Sequence, residues 1–219
     1  MLAIENLYDL SHSMAGNYLL QFHYPWEALK GIKEEIIRIG AMLDANEYTE
    51  VAPQVWVHRA ATVAPTAFLG APCIIGAKTE VRHGAFVRGS ALVGEGCVVG
   101  NSTELKNVIL FDGVQVPHYN YVGDSILGYK AHMGAGSITS NVKGDKSPVV
   151  VRDGAEEIAT GRKKFGAMLG DRAEIGCNSV LNPGTDIGPD SQVYPLSSVR
   201  GTVPPHAIYK APGSIVPKK

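Results

Sequence analysis

A repeat of six residues governs the middle of the chain. From position 51 onward every sixth residue is apolar, in the order Val51, Val57, Val63, Leu69, Ile75, Val81, Val87, Val93, Val99, Leu105 and Phe111. Hydrophobic residues make up 45% of the chain, so chance would fill fewer than half of these positions. A period of six matches neither an α-helix nor a single alternating strand. It is typical of a parallel β-helix, in which each hexad forms one short strand and then turns.

The residues between the apolar positions support this interpretation. The residue four places after each apolar one is mostly small, and glycine follows directly at Gly70, Gly76, Gly94 and Gly100. Small side chains fit a narrow interior, and glycine tolerates the positive φ of a tight corner. If three hexads form one triangular coil, residues 18 apart are stacked on neighbouring coils, about 4.8 Å from each other. The predicted fold is therefore mainly β.

The repeat has a clear start, a pause and an end. It occupies residues 48–203, with one-residue contractions after Phe111 and before Leu127. Residues 142–166 interrupt it, and the turn at Asp153 and Gly154 between two extended runs predicts a projecting hairpin inserted into one solenoid. Prolines dominate the non-repeating tail, residues 204–219.

Residues 1–47 precede the repeat and contain one helical pattern. Pro25 suits a first helical turn, and apolar residues then recur at helical spacing, at Leu29, Ile32, Ile36, Ile39 and Leu43. We expect this amphipathic helix to form an N-terminal α-helical cap on the open end of the β-helix, as a repeat array requires. A helix that binds a partner is the alternative interpretation.

Composition excludes several classes of function. Lys and Arg number 20 against 21 Asp and Glu, so the chain has no excess of basic charge for nucleic acid. Cys73, Cys97 and Cys177 occupy positions that require small side chains, which indicates packing in a reducing compartment rather than disulfides or a metal site. No signal peptide and no apolar run of membrane-spanning length are found, so we expect a cytoplasmic protein.

The stacking rule places two cations together. Arg88 and Lys106 are 18 residues apart, both at the corner position that glycine usually holds. Two neighbouring cations repel each other unless an anion lies between them, and a phosphate would satisfy both. The alternative, which the sequence leaves equally open, is that each cation extends into solvent or pairs with Glu80 or Glu104.

A second column of polar residues follows from the same rule. His83, Asn101 and His118 stack if the coil contracts by one residue, and Glu104 and Tyr121 stack beside them. We expect these groups to gather near the cationic pair. His118 would be the proton carrier near neutral pH, although a histidine on a β-helix wall is more commonly a surface residue.

Three stretches resemble a known family. They are ValGlyAsnSerThrGluLeuLys (99–106), HisTyrAsnTyrValGlyAspSer (118–125) and GlyAlaGlySerIleThrSerAsn (134–141). They are similar to the acetyltransferase half of the bifunctional enzyme that makes UDP-N-acetylglucosamine, and to the C-terminal half of related sugar-phosphate nucleotidyltransferases. The resemblance covers roughly residues 51–203. It implies a left-handed β-helix, a homotrimer, and transfer of acetyl from acetyl-CoA to a sugar phosphate such as glucosamine-1-phosphate.

The resemblance also implies roles for individual residues. Arg88 and Lys106 match residues that hold the sugar phosphate, and His118 matches the general base. Tyr121 and Asn141 match sugar contacts, with Glu104 beside them. A further group falls where the family lines its acetyl-CoA groove: Ala135, Cys177 and Pro195. A backbone N–H near Ala135 is the expected donor to the developing oxyanion.

The chain departs from the family pattern at several of these positions. His132 stands where the family has Asn, Val142 where it has Tyr, and Pro195 replaces a small residue. The insertion begins at Asn141 and could bring a basic run, 162–164, toward the CoA phosphates. These changes leave the acceptor sugar open.

The sequence is compatible to different degrees with an acetyltransferase, a binding module and a zinc hydratase, but not with a nucleotidyltransferase. About fifty residues precede the repeat and carry no glycine-rich phosphate loop, so we expect no uridylyl transfer from this chain. A trimeric module that binds a nucleotide sugar and partners a separate nucleotidyltransferase is the alternative to an acetyltransferase. A zinc hydratase of this fold would need histidines five residues apart, but His118 has Gly113 and Gly123 at those offsets.

Overall fold

The computed structural model describes residues 2–218 and shows a left-handed parallel β-helix, which confirms the predicted fold class. The cross-section is triangular, and each coil contributes one strand to each of three walls. The first wall contains Val55–His58, Cys73–Ile75, Ala91–Val93, the second half of Glu104–Leu110, the second half of Tyr121–Leu127, Ala167–Leu169, Thr185–Ile187 and Thr202–Val203.

The other two walls are built in the same way. The second contains Thr62–Val63, Glu80–Val81, Val98–Asn101, Gln115–His118, His132–Met133, Glu174–Ile175, Gln192–Val193 and Ala207–Ala211. The third contains Phe68–Leu69, Phe86–Val87, the first halves of Glu104–Leu110 and Tyr121–Leu127, Ile138–Thr139, Val180–Leu181 and Ser198–Val199. Two strands run antiparallel at the ends of these sheets, Tyr48–Ala52 beside Val55–His58 and Ser214–Pro217 beside Ala207–Ala211.

The register follows the predicted stacking rule. Val87 lies opposite Leu105 on the next coil, 18 residues later, and Leu105 lies opposite Val122 because the coil there is one residue shorter. The inward apolar residues of the central coils are fully buried, so the core is one continuous column along the axis of the β-helix. The branched side chains fill this column, which is the main source of hydrophobic stabilisation.

Two details of the predicted repeat are wrong. Val51 lies in the antiparallel strand Tyr48–Ala52 and is 57% exposed, so the inward positions begin after it. The first contraction falls before Phe111, because Leu110 pairs with Val93. Phe111 therefore takes the corner position that Gly94 holds one coil earlier, and its buried ring packs against Tyr8, 5.2 Å between ring centroids. The N-terminal segment covers this ring, which explains why an aromatic residue is tolerated at a corner.

The N-terminal segment is helical but does not close the end of the β-helix. It contains α-helices Ile4–Leu7, Gly16–Leu19, Pro25–Ala28 and Ile32–Gly40 and the 3₁₀ helix Leu10–His12. Ile32–Gly40 contacts the first-wall strands Cys73–Ile75, Ala91–Val93 and Glu104–Leu110. Its apolar stripe is buried against their outward side chains, so the helix covers the side of the first wall. Within residues 2–218, no helix has the length and apolar composition needed to cross a membrane.

The insertion forms the predicted hairpin but does not project. Its strands are Val150–Asp153 and Glu156–Ala159, joined by a turn with Gly154 at φ 61°. Val149 and Val151 are fully buried, and the Thr202 hydroxyl donates to the Arg152 carbonyl at 2.7 Å. The hairpin therefore folds back onto the first wall near its C-terminal end.

Candidate functional site

Arg88 and Lys106 are stacked neighbours at the corner between the third and first walls, which we name the cationic corner. The Arg88 amide donates to the carbonyl of Leu105 at 2.9 Å, which fixes the register of the two coils. Each cation has its own carboxylate: Arg88 Nη1 lies 2.9 Å from Glu104 Oε1, and Lys106 Nζ lies 2.9 Å from Asp124 Oδ1. The pair is therefore stable without a shared anion. Pairing with Glu104, the alternative for Arg88, is what the structure contains.

Asp124 is the centre of the cationic corner. Its side chain is only 3% exposed and sits at a left-handed turn with φ 48°. Three side chains donate to its carboxylate: Lys106 at 2.9 and 3.1 Å, Asn107 at 2.9 Å and Asn141 at 2.6 Å. A buried carboxylate is stable only when it is paired and hydrogen-bonded, and here every donor comes from the walls or the start of the insertion. Asp124 thereby fixes Lys106 and Asn141 in position.

Tyr121 connects this cluster to the third wall. Asn141 Nδ2 donates to its hydroxyl at 3.2 Å, and Glu104 lies opposite it on the preceding coil. Gly123 leaves the space that the hydroxyl occupies, since a Cβ there would lie 2.5 Å from it. Burial and the carboxylates of Asp124 and Glu104 raise the pKa of Tyr121, so the hydroxyl stays protonated at neutral pH. The structure thus brings together the five predicted substrate residues Arg88, Glu104, Lys106, Tyr121 and Asn141.

The predicted histidine column lies at the corner between the second and third walls, which we name the histidine corner. His118 is opposite Asn101, and the Ser102 amide donates to the His83 carbonyl at 3.3 Å, which stacks the column in the predicted order. Gly100 permits this approach, because a Cβ there would overlap the backbone of Pro117. The ring of His118 is exposed and makes no hydrogen bond within residues 2–218. It is therefore free to meet a ligand.

An open cleft of about 470 Å³ adjoins the histidine corner. His118, Ala135 and Cys177 line it on successive coils, and Pro195 continues the same column one coil further, where Leu196 donates to the Cys177 carbonyl at 2.9 Å. Among the hydrogen bonds of residues 2–218, the Ala135 N–H has no acceptor, although Gly136 beside it donates to the His118 carbonyl at 3.0 Å. The cleft therefore combines an imidazole with an unused backbone donor.

His132, one of the departures from the family pattern, also lines this cleft. Its Nδ1 lies 2.7 Å from Glu174 Oε2 on the next coil. The imidazole is thereby held against the second wall by a carboxylate rather than turned toward His118. Unlike the uncharged amide of Asn, an imidazole in this position can carry a positive charge opposite Glu174.

The two corners lie at opposite edges of the same wall. Asn101, level with His118, ends a strand of the second wall; the chain turns at Ser102 (φ 53°), crosses the third wall and reaches Lys106 at its far edge. The imidazole and the cationic pair therefore lie at the two edges of one wall rather than at one corner. The outer surface between the corners carries the half-buried Glu104 and Tyr121. A ligand that contacts both corners must lie across the third wall.

The cysteines differ in environment. Cys73 and Cys97 are buried, and burial raises the pKa of each thiol to about 12, so both are inert packing residues as predicted. Cys177 is exposed at the cleft, so the prediction that it is a packing residue is wrong. In residues 2–218, no cluster of three or more His, Cys, Asp or Glu side chains is arranged to hold a metal ion.

Two polar residues of the cationic corner were not predicted from the sequence, Asp124 and Asn107, and Arg162 was expected at the CoA phosphates rather than near Asp124. Asp124 is 18 residues after Lys106, so the stacking rule itself contained the signal. Asn107 donates both to Asp124 and, at 3.2 Å, to the carbonyl of Leu29 in the N-terminal segment. Arg162 comes from the insertion, which has no repeat from which its position could be derived.

The fold and these two corners define a hexapeptide-repeat β-helix with a polar site on its third wall. The predicted resemblance is confirmed by sequence comparison: residues 72–155 match the family described as the GMPPB C-terminal domain. The bifunctional sugar-1-phosphate nucleotidylyltransferase/acetyltransferase of Sulfurisphaera tokodaii is 34% identical over 98 residues, 45% of this chain and 24% of that protein. The bifunctional protein GlmU of Methanococcus maripaludis is 31% identical over 115 residues, 52% of this chain and 28% of that protein.

The match to these relatives is partial. It spans about a quarter of the length of each of them. Among solved structures, the acetyltransferase domain of PglB from Neisseria gonorrhoeae has a TM-score of 0.36 at 16% identity, covering 92% of this chain and 76% of that one. Perosamine N-acetyltransferase from Caulobacter crescentus, solved with CoA and GDP-perosamine, has a TM-score of 0.39 at 18% identity. The match covers 73% of this chain and 54% of that one.

Proposed function

We propose that the protein transfers an acetyl group from acetyl-CoA to the amine of an amino-sugar 1-phosphate. The observation that carries this proposal is the arrangement of the third wall, with cationic groups at one edge and a free imidazole beside an open cleft at the other. The relatives from Sulfurisphaera and Methanococcus add support, because the name of the first combines a sugar 1-phosphate with acetyl transfer.

The acceptor would lie across the third wall. Its phosphate would be held at the cationic corner by Arg88 and Lys106, while Tyr121 and Asn141 contact the sugar. Lys106 is kept in place by the buried Asp124, so the ammonium is positioned before the substrate arrives. Positioning of this kind lowers the entropic cost of bringing the amine to the thioester. The amine would then face the histidine corner.

The chemistry would take place at the cleft, with CoA bound along Ala135, Cys177 and Pro195. The amine nitrogen attacks the thioester carbonyl and forms a C–N bond, while His118 accepts the proton that the nitrogen loses. The Ala135 N–H, which has no acceptor within residues 2–218, donates to the oxyanion of the tetrahedral intermediate. Collapse breaks the C–S bond, and the protonated imidazole returns its proton to the leaving CoA thiolate.

Turnover with defined acceptors tests this proposal. The protein is incubated with acetyl-CoA and glucosamine-1-phosphate, and free CoA and acetylated product are separated and quantified by chromatography. We expect CoA release to equal product formation. No product with any member of a panel of amino-sugar phosphates would contradict the acetyltransferase.

The alternative is a binding module for a sugar phosphate or nucleotide sugar that partners a separate nucleotidyltransferase. The cationic corner would serve it equally well, but such a module has no use for the free His118 ring or the unused Ala135 N–H. Tight binding of the sugar phosphate without turnover would favour this alternative.

A homotrimer is part of the same proposal. The exposed His118 ring and the open cleft would be covered if a second copy of the chain packed against the third wall, which would exclude water from the reacting groups. Light scattering combined with size-exclusion chromatography measures the mass directly. A monomer that turns over normally would contradict a shared site.

A further inference from the structure

The insertion returns to the β-helix at the cationic corner. Phe165 donates its amide to the Asn141 carbonyl at 3.0 Å, and Gly166 donates to the Asp124 carbonyl at 2.8 Å. Just before this return, the Arg162 carbonyl accepts from Val149 at 2.7 Å and its amide donates to the Thr160 hydroxyl at 3.2 Å. The backbone of Arg162 is therefore fixed within a few residues of the groups that hold Lys106.

The side chain of Arg162 lacks the partners that a half-buried guanidinium normally has. Its Nε is buried without a hydrogen bond, and within residues 2–218 no carboxylate forms an ion pair with it. Burial lowers the pKa of Arg162, while the nearby Asp124 and Tyr18 act in the opposite direction. Buried polar groups are almost always hydrogen-bonded, so an unpaired donor of this kind requires an explanation.

The charges at the cationic corner leave Arg162 without a matching carboxylate. Glu104 neutralises Arg88 and Asp124 neutralises Lys106, so the two matched pairs carry no net charge. Lys143, at the start of the insertion, is occupied by the Ser147 hydroxyl at 2.6 Å. Arg162 therefore provides the excess positive charge that an anionic ligand needs at this site.

We propose that Arg162 binds the phosphoryl group of the acceptor, together with Arg88 and Lys106, and so makes the site selective for phosphorylated amino sugars. This proposal rests on the proposed function. The fork of donors on a guanidinium matches two phosphate oxygens. Arg162 thus serves the acceptor side of the site, in contrast to the expected role of the 162–164 run at the CoA phosphates.

Two variants and one control test this role. Arg162→Gln removes the charge, Arg162→Lys keeps it but loses the fork, and Arg152→Gln removes an exposed cation from the same hairpin. We measure kcat and KM for glucosamine-1-phosphate and for unphosphorylated glucosamine. Arg162→Gln should raise the KM for the phosphate at least about tenfold, as loss of a charge-assisted contact implies, with kcat within about twofold. The KM of Arg162→Lys should lie between those of Arg162→Gln and the unmodified protein, and Arg152→Gln should have the KM of the unmodified protein.

Selectivity decides between a phosphate ligand and a structural role. An equal rise in KM for glucosamine, or an unchanged KM for the phosphate in Arg162→Gln, would overturn the role of Arg162. Thermal unfolding of each variant should match the unmodified protein, since the guanidinium makes no hydrogen bond in residues 2–218. A drop in the unfolding temperature that Arg162→Lys restores would instead indicate a structural residue and contradict the proposal.

Calorimetric binding of glucosamine-1-phosphate in the absence of acetyl-CoA separates this proposal from the proposed function. If the unmodified protein binds the phosphate without turnover and Arg162→Gln binds it at least about tenfold more weakly, the acetyltransferase fails and the role of Arg162 is supported. If turnover occurs and binding is the same in both, only the role of Arg162 fails. No binding by the unmodified protein would overturn the role of Arg162.

Discussion

The two corners of the third wall are built on opposite principles. At the cationic corner Asp124 is buried, three side chains donate to its carboxylate, and the N-terminal segment and the insertion both pack against the cluster. At the histidine corner His118 is exposed, its ring has no hydrogen bond within residues 2–218, and an open cleft of about 470 Å³ lies beside it. The carboxylate of Asp124 has its hydrogen-bond partners within residues 2–218, whereas the ring of His118 has none there.

This difference suggests which corner is prepared for binding and which for reaction. A site that must hold an anion benefits from rigid, preorganised donors, because less freedom is lost when the ligand arrives. A group that must transfer protons needs access to its substrate and a ring that is not already saturated with hydrogen bonds. Substitution of Asp124 should therefore affect stability and the KM for the sugar phosphate, whereas substitution of His118 should affect kcat.

His118→Ala should have the largest effect on activity. Loss of a positioned general base lowers kcat by roughly 10² to 10⁴. Because the ring is exposed and unpartnered, the free energy of unfolding should stay within about 0.5 kcal/mol of its original value. Steady-state kinetics and urea denaturation measure both quantities, with His83→Ala, two coils earlier in the same column, as the matched control. A kcat that falls equally in both variants would show that the column is structural.

Asp124→Asn should have the largest effect on stability. The amide keeps the size of the carboxylate but removes the charge that holds Lys106, and its amino group faces side-chain donors from Asn107 and Asn141. Removing one partner from a buried ion pair costs about 3 kcal/mol. Urea denaturation should show this loss, and the KM for the sugar phosphate should rise as well. Unchanged stability would contradict the role of Asp124 as the centre of the corner.

The β-helix and the stacking of its coils could be derived from the sequence, because one period of six determines which side chains point inward. The stacking of Arg88 on Lys106 and of Asn101 on His118 followed from counting residues, and both are confirmed. Counting along a chain does not, however, measure distance across a wall. Counting therefore did not show that the two columns occupy the two edges of one wall.

Residues outside the repeat were harder to place, for a physical reason. The helix Ile32–Gly40 has one apolar stripe. That stripe could be buried either against the end of the β-helix or against the outward residues of the first wall. The choice depends on side chains such as Ile74, Leu92 and Ile109, which are fully buried and point away from the core axis. Arg162 is likewise determined by how the insertion returns, which no periodicity records.

Gly123→Ala should have a smaller effect, confined to the cationic corner. The new methyl group would lie 2.5 Å from the Tyr121 hydroxyl, so the phenol must turn away from Asn141. Loss of one such hydrogen bond corresponds to a rise in KM of about three- to tenfold. Gly144→Ala is the matched control, because a methyl group there meets no atom within 4 Å. Combination with Tyr121→Phe should not add the two effects, and full additivity would show that the two residues act independently.

Alkylation of Cys177 gives the smallest effect and the most direct measurement of the cleft. Only the thiolate reacts, and pKa values of about 12 keep Cys73 and Cys97 protonated at pH 8, so mass spectrometry of the folded protein should show one modified thiol. The two buried thiols should react only after unfolding or as the pH approaches their pKa values. CoA at ten times its Kd should slow the modification of Cys177 by about tenfold, because the cleft is then occupied. A rate that CoA leaves unchanged would place the CoA site elsewhere, and the open corner would then have to be explained by a partner chain rather than by a cofactor.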